Sequence, residues 1–116
     1  MAIGALHEIV VDCSNPEALA RFWQALIGGE VEVESSDWVV LDGDDDGFYI
    51  GFQMVPEPKH GKNRIHLDVV VDDLTTAIDQ AEQLGARKIG KLVDEDDGSF
   101  QVMADPGGNE FCFIAD

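Results

Sequence analysis

The chain has 116 residues, enough for one hydrophobic core and too few for two domains of ordinary size. Its 24 acidic and 7 basic residues give a formal net charge of −17, so nucleic acid and anionic membranes are poor partners. The apolar fraction of 45% is typical of a globular protein, and two cysteines fit the reducing cytoplasm. The sequence shows no basic leader and no apolar run of the roughly 20 residues that a membrane span needs, so we expect a cytoplasmic protein. The acidity fits either a very soluble cytosolic protein or adaptation to high salt.

The first half of the chain predicts a strand, a helix and three more strands. The β-branched run at residues 6–12 predicts the first strand. A helix is expected within residues 14–29, where Ser14 or Asn15 can cap its start and Gly28 suits its end. Further strands are predicted at residues 29–34, 38–43 and 48–55, followed by a linker rich in Pro, Gly and Lys at residues 56–63.

After the linker the same order begins again. A strand is predicted at residues 64–72, a helix at residues 73–85, and strands at residues 86–93, 99–105 and 109–115. The chain is therefore predicted to be a single α+β domain, residues 1–116, built from two βαβββ units. Unit one is residues 1–55 and unit two is residues 64–116.

The repeat predicts that polar residues of the two units occupy equivalent places. His7 and His66 are 59 positions apart, and so are Gln53 and Cys112. Because side chains alternate across a strand, the apolar set of each strand is expected to face the helix and the polar set the opposite face. Parity leaves open whether Trp38 lies on that polar face or in the core. The polar set comprises Tyr49, Gln53, Arg64, His66, Asp68, Glu110 and Cys112.

Several stretches resemble one superfamily. The paired βαβββ units with HLDVVVDDL, LGAR and DPGGNEF are similar to the vicinal oxygen chelate superfamily, the glyoxalase/bleomycin-resistance/dioxygenase fold. ARFWQALIGGEV and FQMVPEPKHGKNRIHLDV resemble its small bacterial glyoxalase-like group. The resemblance spans essentially the whole chain and implies a cupped mixed sheet, a small-molecule ligand and a homodimer. It does not fix the activity, because this fold hosts lyases, dioxygenases, epimerases and drug-sequestering proteins.

Metal-dependent members of the superfamily hold a divalent metal with the first and last strands of each unit. Carried onto this sequence, the resemblance implies His7, Gln53, His66 and Cys112 as ligands. Zinc is the preferred metal, since imidazole and thiolate both bind it well, with nickel or iron as alternatives. Cys112 departs from the pattern, because the family places a Glu seven residues after the Asp of the DP turn, here Asp105.

Two functions follow from this departure. Glyoxalase I chemistry needs a carboxylate to move a proton beside a carbonyl, and neither Gln53 nor Cys112 is one. The first hypothesis is a glyoxalase-like small-molecule-binding protein with a degenerate metal site. The second is a metal-dependent lyase or isomerase, or a dioxygenase-like enzyme, using the four implied ligands. Both hypotheses predict the same ligand contacts: Arg64, Asp68, Tyr49 and Glu110. Arg64 is expected to bind an anionic group of the ligand.

Two acidic stretches are predicted to be turns rather than ion sites. Asp42 to Gly47, DGDDDG, matches the opening of a calcium-binding loop, but its twelfth position is Gln53 rather than the bidentate Glu. DEDDG, at residues 94–98, is interpreted in the same way. DPGG, at residues 105–108, is predicted to be a structural turn.

Overall fold

The computed structural model describes residues 2–96 and 98–115. The chain separates into two compact units, unit one up to Pro58 and unit two from Lys59 onward. Unit one contains β1 (Ile9–Cys13), α1 (Pro16–Ile27), β2 (Glu30–Ser35), β3 (Trp38–Asp42) and β4 (Tyr49–Met54). Unit two contains β5 (Leu67–Val70), α2 (Leu74–Gln83), β6 (Arg87–Glu95), β7 (Gly98–Ala104) and β8 (Glu110–Ala115).

Each unit forms one four-stranded mixed sheet. The strand orders are β1-β4-β3-β2 in unit one and β5-β8-β7-β6 in unit two. In both sheets the first strand pairs in parallel with the last, and the other neighbours are antiparallel. The predicted α+β class and the two βαβββ units are confirmed.

The helices begin and end where the sequence indicates. Of the two predicted caps for α1, Asn15 is used, and its side chain accepts a hydrogen bond from the Ala18 N–H at 3.2 Å. Gly28 ends α1 with a positive φ of 82°. Asp73 caps α2 by accepting from the Thr75 and Thr76 N–H groups. No helix among the described residues is long and apolar enough to span a membrane.

The helices cover one face of each sheet and bury the core there. In unit one α1 packs on β2, β3 and β4, and in unit two α2 packs on β6, β7 and β8. Trp23 of α1 is 4% exposed and belongs to this core. The most deeply buried side chains of the two sheets include Phe52, Leu41, Phe111, Phe113 and Met103. The opposite face of each sheet is called its helix-free face below.

The first strand of each unit is shorter than predicted. β1 begins at Ile9 rather than residue 6, and β5 begins at Leu67 rather than residue 64. The first ladder pairs are Ile9 with Ile50 and Leu67 with Phe111, so the residues before Ile9 and Leu67 are not part of the ladders with β4 and β8. His7 and His66 therefore lie just outside their strands.

The acidic stretch after β3 is a turn, as predicted. Asp44 to Asp46 forms one turn of 3-10 helix, and Gly47 closes it with φ 79°. The second acidic stretch lies between β6 and β7, which pair antiparallel up to Glu95 and Gly98. One of its residues, Asp97, lies outside the described residues.

Candidate functional site in unit two

The pairing of β5, β8 and β7 brings one row of side chains to the helix-free face of unit two. Cys112 is aligned with Asp68 on one side and with Val102 on the other. Phe100 is aligned with Ile114 two residues further along. Because alternate residues of a strand share a face, the polar and apolar members of this row lie side by side.

This face carries a pocket of about 370 Å³. One part of its lining is polar and contains Lys62, Asn63, His66, Asp68 and Glu110. The other part is apolar and contains Phe100, Val102 and Ile114, with Cys112 between the two parts. A site of this size with an apolar wall and a few polar groups is typical of small-molecule binding.

Three side chains of the pocket converge: His66, Asp68 and Cys112. One donor atom from each lies within 4.8 Å of the others. His66 Nδ1 is 3.1 Å from Asp68 Oδ1, and both side chains are about half exposed. Cys112 is 8% exposed and forms the floor of the cluster.

The environment of Cys112 keeps its thiol protonated. Burial raises the pKa of Cys112, and the nearby Asp68 carboxylate raises it further, against a smaller opposing effect of the Lys62 ammonium. A thiol with a raised pKa is a weak nucleophile and holds its proton at neutral pH. Without a bound cation, the protonated Cys112 thiol therefore neither accepts a proton nor carries a negative charge, as the Glu that the family places there would.

Glu110 lines the pocket and also ties the preceding segment to β8. Its carboxylate accepts a hydrogen bond from the Asn63 N–H and forms an ion pair with Lys59 Nζ at 2.9 Å. The Asn63 amide donates in turn to the Glu110 carbonyl. Burial alone raises the pKa of Glu110, but the Asn63 hydrogen bond and the Lys59 ammonium together hold this pKa below the ordinary 4.5. The carboxylate therefore anchors residues 59–63 as one wall of the pocket.

The first strands of the two units align differently from the sequence interpretation. His66 is the residue immediately before β5, and the residue immediately before β1 is Glu8, not His7. The distances to the helix caps support the same alignment, since His66 precedes the Asp73 cap by seven residues and Glu8 precedes the Asn15 cap by seven. The unit-one counterpart of His66 is therefore Glu8, one position from the expected residue.

The last strands show the same kind of displacement. Cys112 lies between the two buried phenylalanines of β8. The residue with this place in β4 is Gly51, between buried Ile50 and Phe52, and not Gln53. The unit-one counterpart of Cys112 therefore has no side chain. Whether His7 and Gln53 take part in a metal site stays a prediction.

In unit one an indole ring covers the position of that missing side chain. Trp38 is aligned with Gln53, so it lies on the helix-free face, which decides the placement that parity left open. A Cβ at Gly51 would lie 3.0 Å from the Trp38 ring and 3.1 Å from Glu8 Oε2. Beside this contact, the rings of His7 and Tyr49 stack at 5.6 Å.

We expect Gly51→Val to lower the free energy of unfolding by about 1–3 kcal/mol, because a branched side chain at this position must displace the Trp38 ring. Urea unfolding followed by far-ultraviolet circular dichroism measures the change. Gly4→Val is the matched control, since a Cβ at Gly4 meets nothing within 4 Å. Equal midpoints for the two variants would contradict the close packing of Trp38 on Gly51.

The predicted ligand contacts are distributed over the two units. Asp68 and Glu110 line the unit-two pocket, whereas Tyr49 belongs to unit one. Arg64 is exposed and lies outside the lining of that pocket, where Lys62 and Asn63 supply the polar groups instead. The sequence interpretation missed the apolar wall, although the alternation of β7 and β8 places its members on the face of Cys112.

Comparison with known proteins now places the chain in a family. The sequence profile of the glyoxalase-like domain matches residues 8–114. The chain belongs to the glyoxalase-like family. No curated protein sequence matches it significantly.

Solved structures share the fold of this glyoxalase-like chain. A glyoxalase/bleomycin resistance protein/dioxygenase family enzyme from Burkholderia phytofirmans PsJN has a TM-score of 0.76 at 21% identity, covering 97% of this chain and 98% of its own. The fosfomycin resistance protein FosX from Listeria monocytogenes has a TM-score of 0.77 at 13% identity, covering 99% and 95%. FosX from Mesorhizobium loti gives 0.73 at 15% identity, covering 100% and 94%. At these identities the likeness establishes the superfamily fold alone.

Proposed function

We propose that this glyoxalase-like protein binds a small organic molecule in the unit-two pocket and is not a true glyoxalase I. The observation that carries the proposal is the absence of a carboxylate at the last-strand position of both described sheets, where Gly51 and Cys112 stand. The homodimer and the cytoplasmic location implied by the resemblance and the composition belong to the same proposal.

The chemistry of glyoxalase I needs a carboxylate at the last-strand position, where this pocket has Cys112. The carboxylates that line the pocket, Asp68 and Glu110, lie at other positions of β5 and β8. Moving a proton between carbons beside a carbonyl requires a positioned group that accepts and returns it. Gly51 has no side chain, and the Cys112 thiol is already protonated. The Glu110 carboxylate is committed to Asn63 and Lys59. We therefore assign to the pocket a binding role.

The lining suggests the chemical class of the ligand. Phe100, Val102 and Ile114 offer an apolar wall for a flat or aliphatic body. The Lys62 ammonium is close enough to lower the pKa values of both Glu110 and Cys112, so it also reaches a polar head placed at this end of the pocket. A ligand with an apolar body and an anionic head fits both parts.

The proposal is tested with the fluorescent probe 8-anilinonaphthalene-1-sulfonate, which has an apolar body and an anionic head. We expect Ile114→Asp to weaken binding of the probe at least tenfold, because a charge then faces the apolar wall. Val33→Asp is the matched control, since Val33 is half exposed on β2 of unit one. Equal binding by wild type and both variants would show that the pocket is not the binding site.

The excluded activity is tested separately. Isomerisation of the glutathione hemithioacetal of methylglyoxal is followed by absorbance, with zinc or nickel added. We expect no turnover above the uncatalysed rate. Turnover that is lost in Cys112→Ala would overturn the proposal and favour the metal-dependent lyase or isomerase using His7, Gln53, His66 and Cys112. That alternative, and its dioxygenase-like form, is supported by the convergence of His66 and Cys112.

A further inference from the structure

The three converging donors of unit two offer one nitrogen, one oxygen and one sulfur. Asp68 and Cys112 are direct neighbours on paired strands, and His66 lies two residues before Asp68. Their donor atoms lie within 4.8 Å of one another. In a tetrahedral zinc site neighbouring donors are about 3.3–3.8 Å apart, so small side-chain rotations bring all three into bonding range.

All three donors belong to unit two. The family pattern implies ligands from both units, but the unit-one counterparts of His66 and Cys112 are Glu8 and Gly51. Gly51 offers no donor, and the Trp38 ring lies against it. The described residues therefore do not repeat the four-ligand pattern by register, whereas Asp68 adds a donor that the pattern does not include.

The sulfur decides which cations the cluster suits. Magnesium, calcium and manganese prefer oxygen ligands, while thiolate favours zinc and cadmium. Three protein donors with His66 and Asp68 about half exposed leave a coordination position open toward the pocket.

We propose that His66, Asp68 and Cys112 form a binding site for a thiophilic divalent cation, zinc or cadmium, wholly within unit two and with one open position facing the pocket. The site goes beyond the binding of an organic molecule proposed above, and it requires neither His7 nor Gln53.

The test uses the full chain, stripped with a chelator and titrated with cobalt as a spectroscopic stand-in for zinc. We expect one equivalent of cobalt to produce a near-ultraviolet thiolate-to-cobalt band that zinc or cadmium then abolishes and magnesium does not. Cys112→Ser should lose the band, and His66→Ala and Asp68→Asn should each weaken cobalt binding at least tenfold. Cys13→Ser, His60→Ala and Asp72→Asn are the matched controls and should bind like wild type.

Two results would overturn the proposal. The first is the absence of a thiolate band at stoichiometric cobalt, or its loss in Cys13→Ser. The second is normal binding by Asp68→Asn together with loss in His7→Ala or Gln53→Ala, which would show the four-ligand site instead. Should Cys112→Ser fail to fold, the wild type still decides, because bound zinc should slow alkylation of Cys112, read by peptide mass, at least tenfold relative to Cys13.

Discussion

Phe111→Ala should lower the free energy of unfolding by about 3–5 kcal/mol, the largest effect we expect from a single substitution. Phe111 has no exposed surface and packs edge to face on Phe113, with ring centroids 5.2 Å apart. Truncation leaves a cavity between β8 and α2. The loss of stability has two parts, the lost transfer free energy of the ring and the cost of the cavity. Domains of this size have a total stability of about 5–15 kcal/mol, so the variant retains only part of it.

Urea unfolding of wild type and variant measures this loss. Phe48→Ala is the matched control, because Phe48 lies in the turn before β4 and is only half buried. Phe111→Leu should lie between wild type and Phe111→Ala, because it restores much of the lost volume. If Phe111→Ala cost no more than Phe48→Ala, the core assigned to unit two would be wrong.

Glu110→Ala should lower the free energy of unfolding by about 2–3 kcal/mol and loosen one wall of the pocket. The substitution removes a charge-assisted hydrogen bond from the Asn63 N–H and the ion pair with Lys59. The side chains of Glu110 and Lys59 are 11% and 25% exposed, so the ion pair is partly shielded from solvent. Removal of one partner leaves the other poorly solvated, which costs more than the loss of a surface ion pair.

Urea unfolding across pH separates the charge from the packing. The pKa of Glu110 in the folded protein lies below the ordinary 4.5. The stabilisation that the carboxylate gives to the folded state is therefore fully present above pH 4.5 and is lost as the pH falls through the lowered pKa. The difference between wild type and Glu110→Gln should therefore shrink in acid. Glu57→Ala, at an exposed position, should change stability little at any pH. A Glu110→Gln difference that persisted unchanged below the lowered pKa would show that the carboxylate charge does not anchor residues 59–63.

The fold was predictable because its signals are local. Apolar spacing and capping residues mark both helices, and turn residues separate runs of alternating side chains. The Asn15 cap and the Gly28 stop of α1 follow from backbone requirements that involve only neighbouring residues. The starts of β1 and β5 were harder to place, because a strand begins only where it pairs with a partner, and that partner lies some 40 residues away.

The residues of the site were predicted less well, because alternation fixes the face of a side chain but not its position along the strand. Gly51 and Gln53 share a face, so alternation alone does not choose between them as the counterpart of Cys112, and the strand pairing selects Gly51. His7 misled in a similar way: its identity matches His66, whereas its place relative to the helix cap does not.

Hydrogen bonds between distant residues escaped sequence reasoning altogether. Glu110 was predicted to contact ligand, which stays a prediction; the sequence did not indicate that its carboxylate also binds Asn63 and Lys59 of the segment before β5. The contact of Asn63 was not predictable, because the sequence around it, rich in Pro, Gly and Lys, is typical of an exposed linker. A contact between residues 47 positions apart depends on the way in which the whole unit closes.

The Trp38 ring over Gly51 makes the two positions mutually dependent. A Glu introduced at Gly51 would place its Cβ 3.0 Å from the Trp38 ring and 3.1 Å from Glu8 Oε2. Shortening Trp38 alone leaves an unfilled hollow beside a glycine. Because both positions change the same contact, we expect the effects of substitutions at Gly51 and Trp38 to be non-additive. A side chain at position 51 and a large ring at position 38 therefore compete for the same space on the helix-free face of unit one.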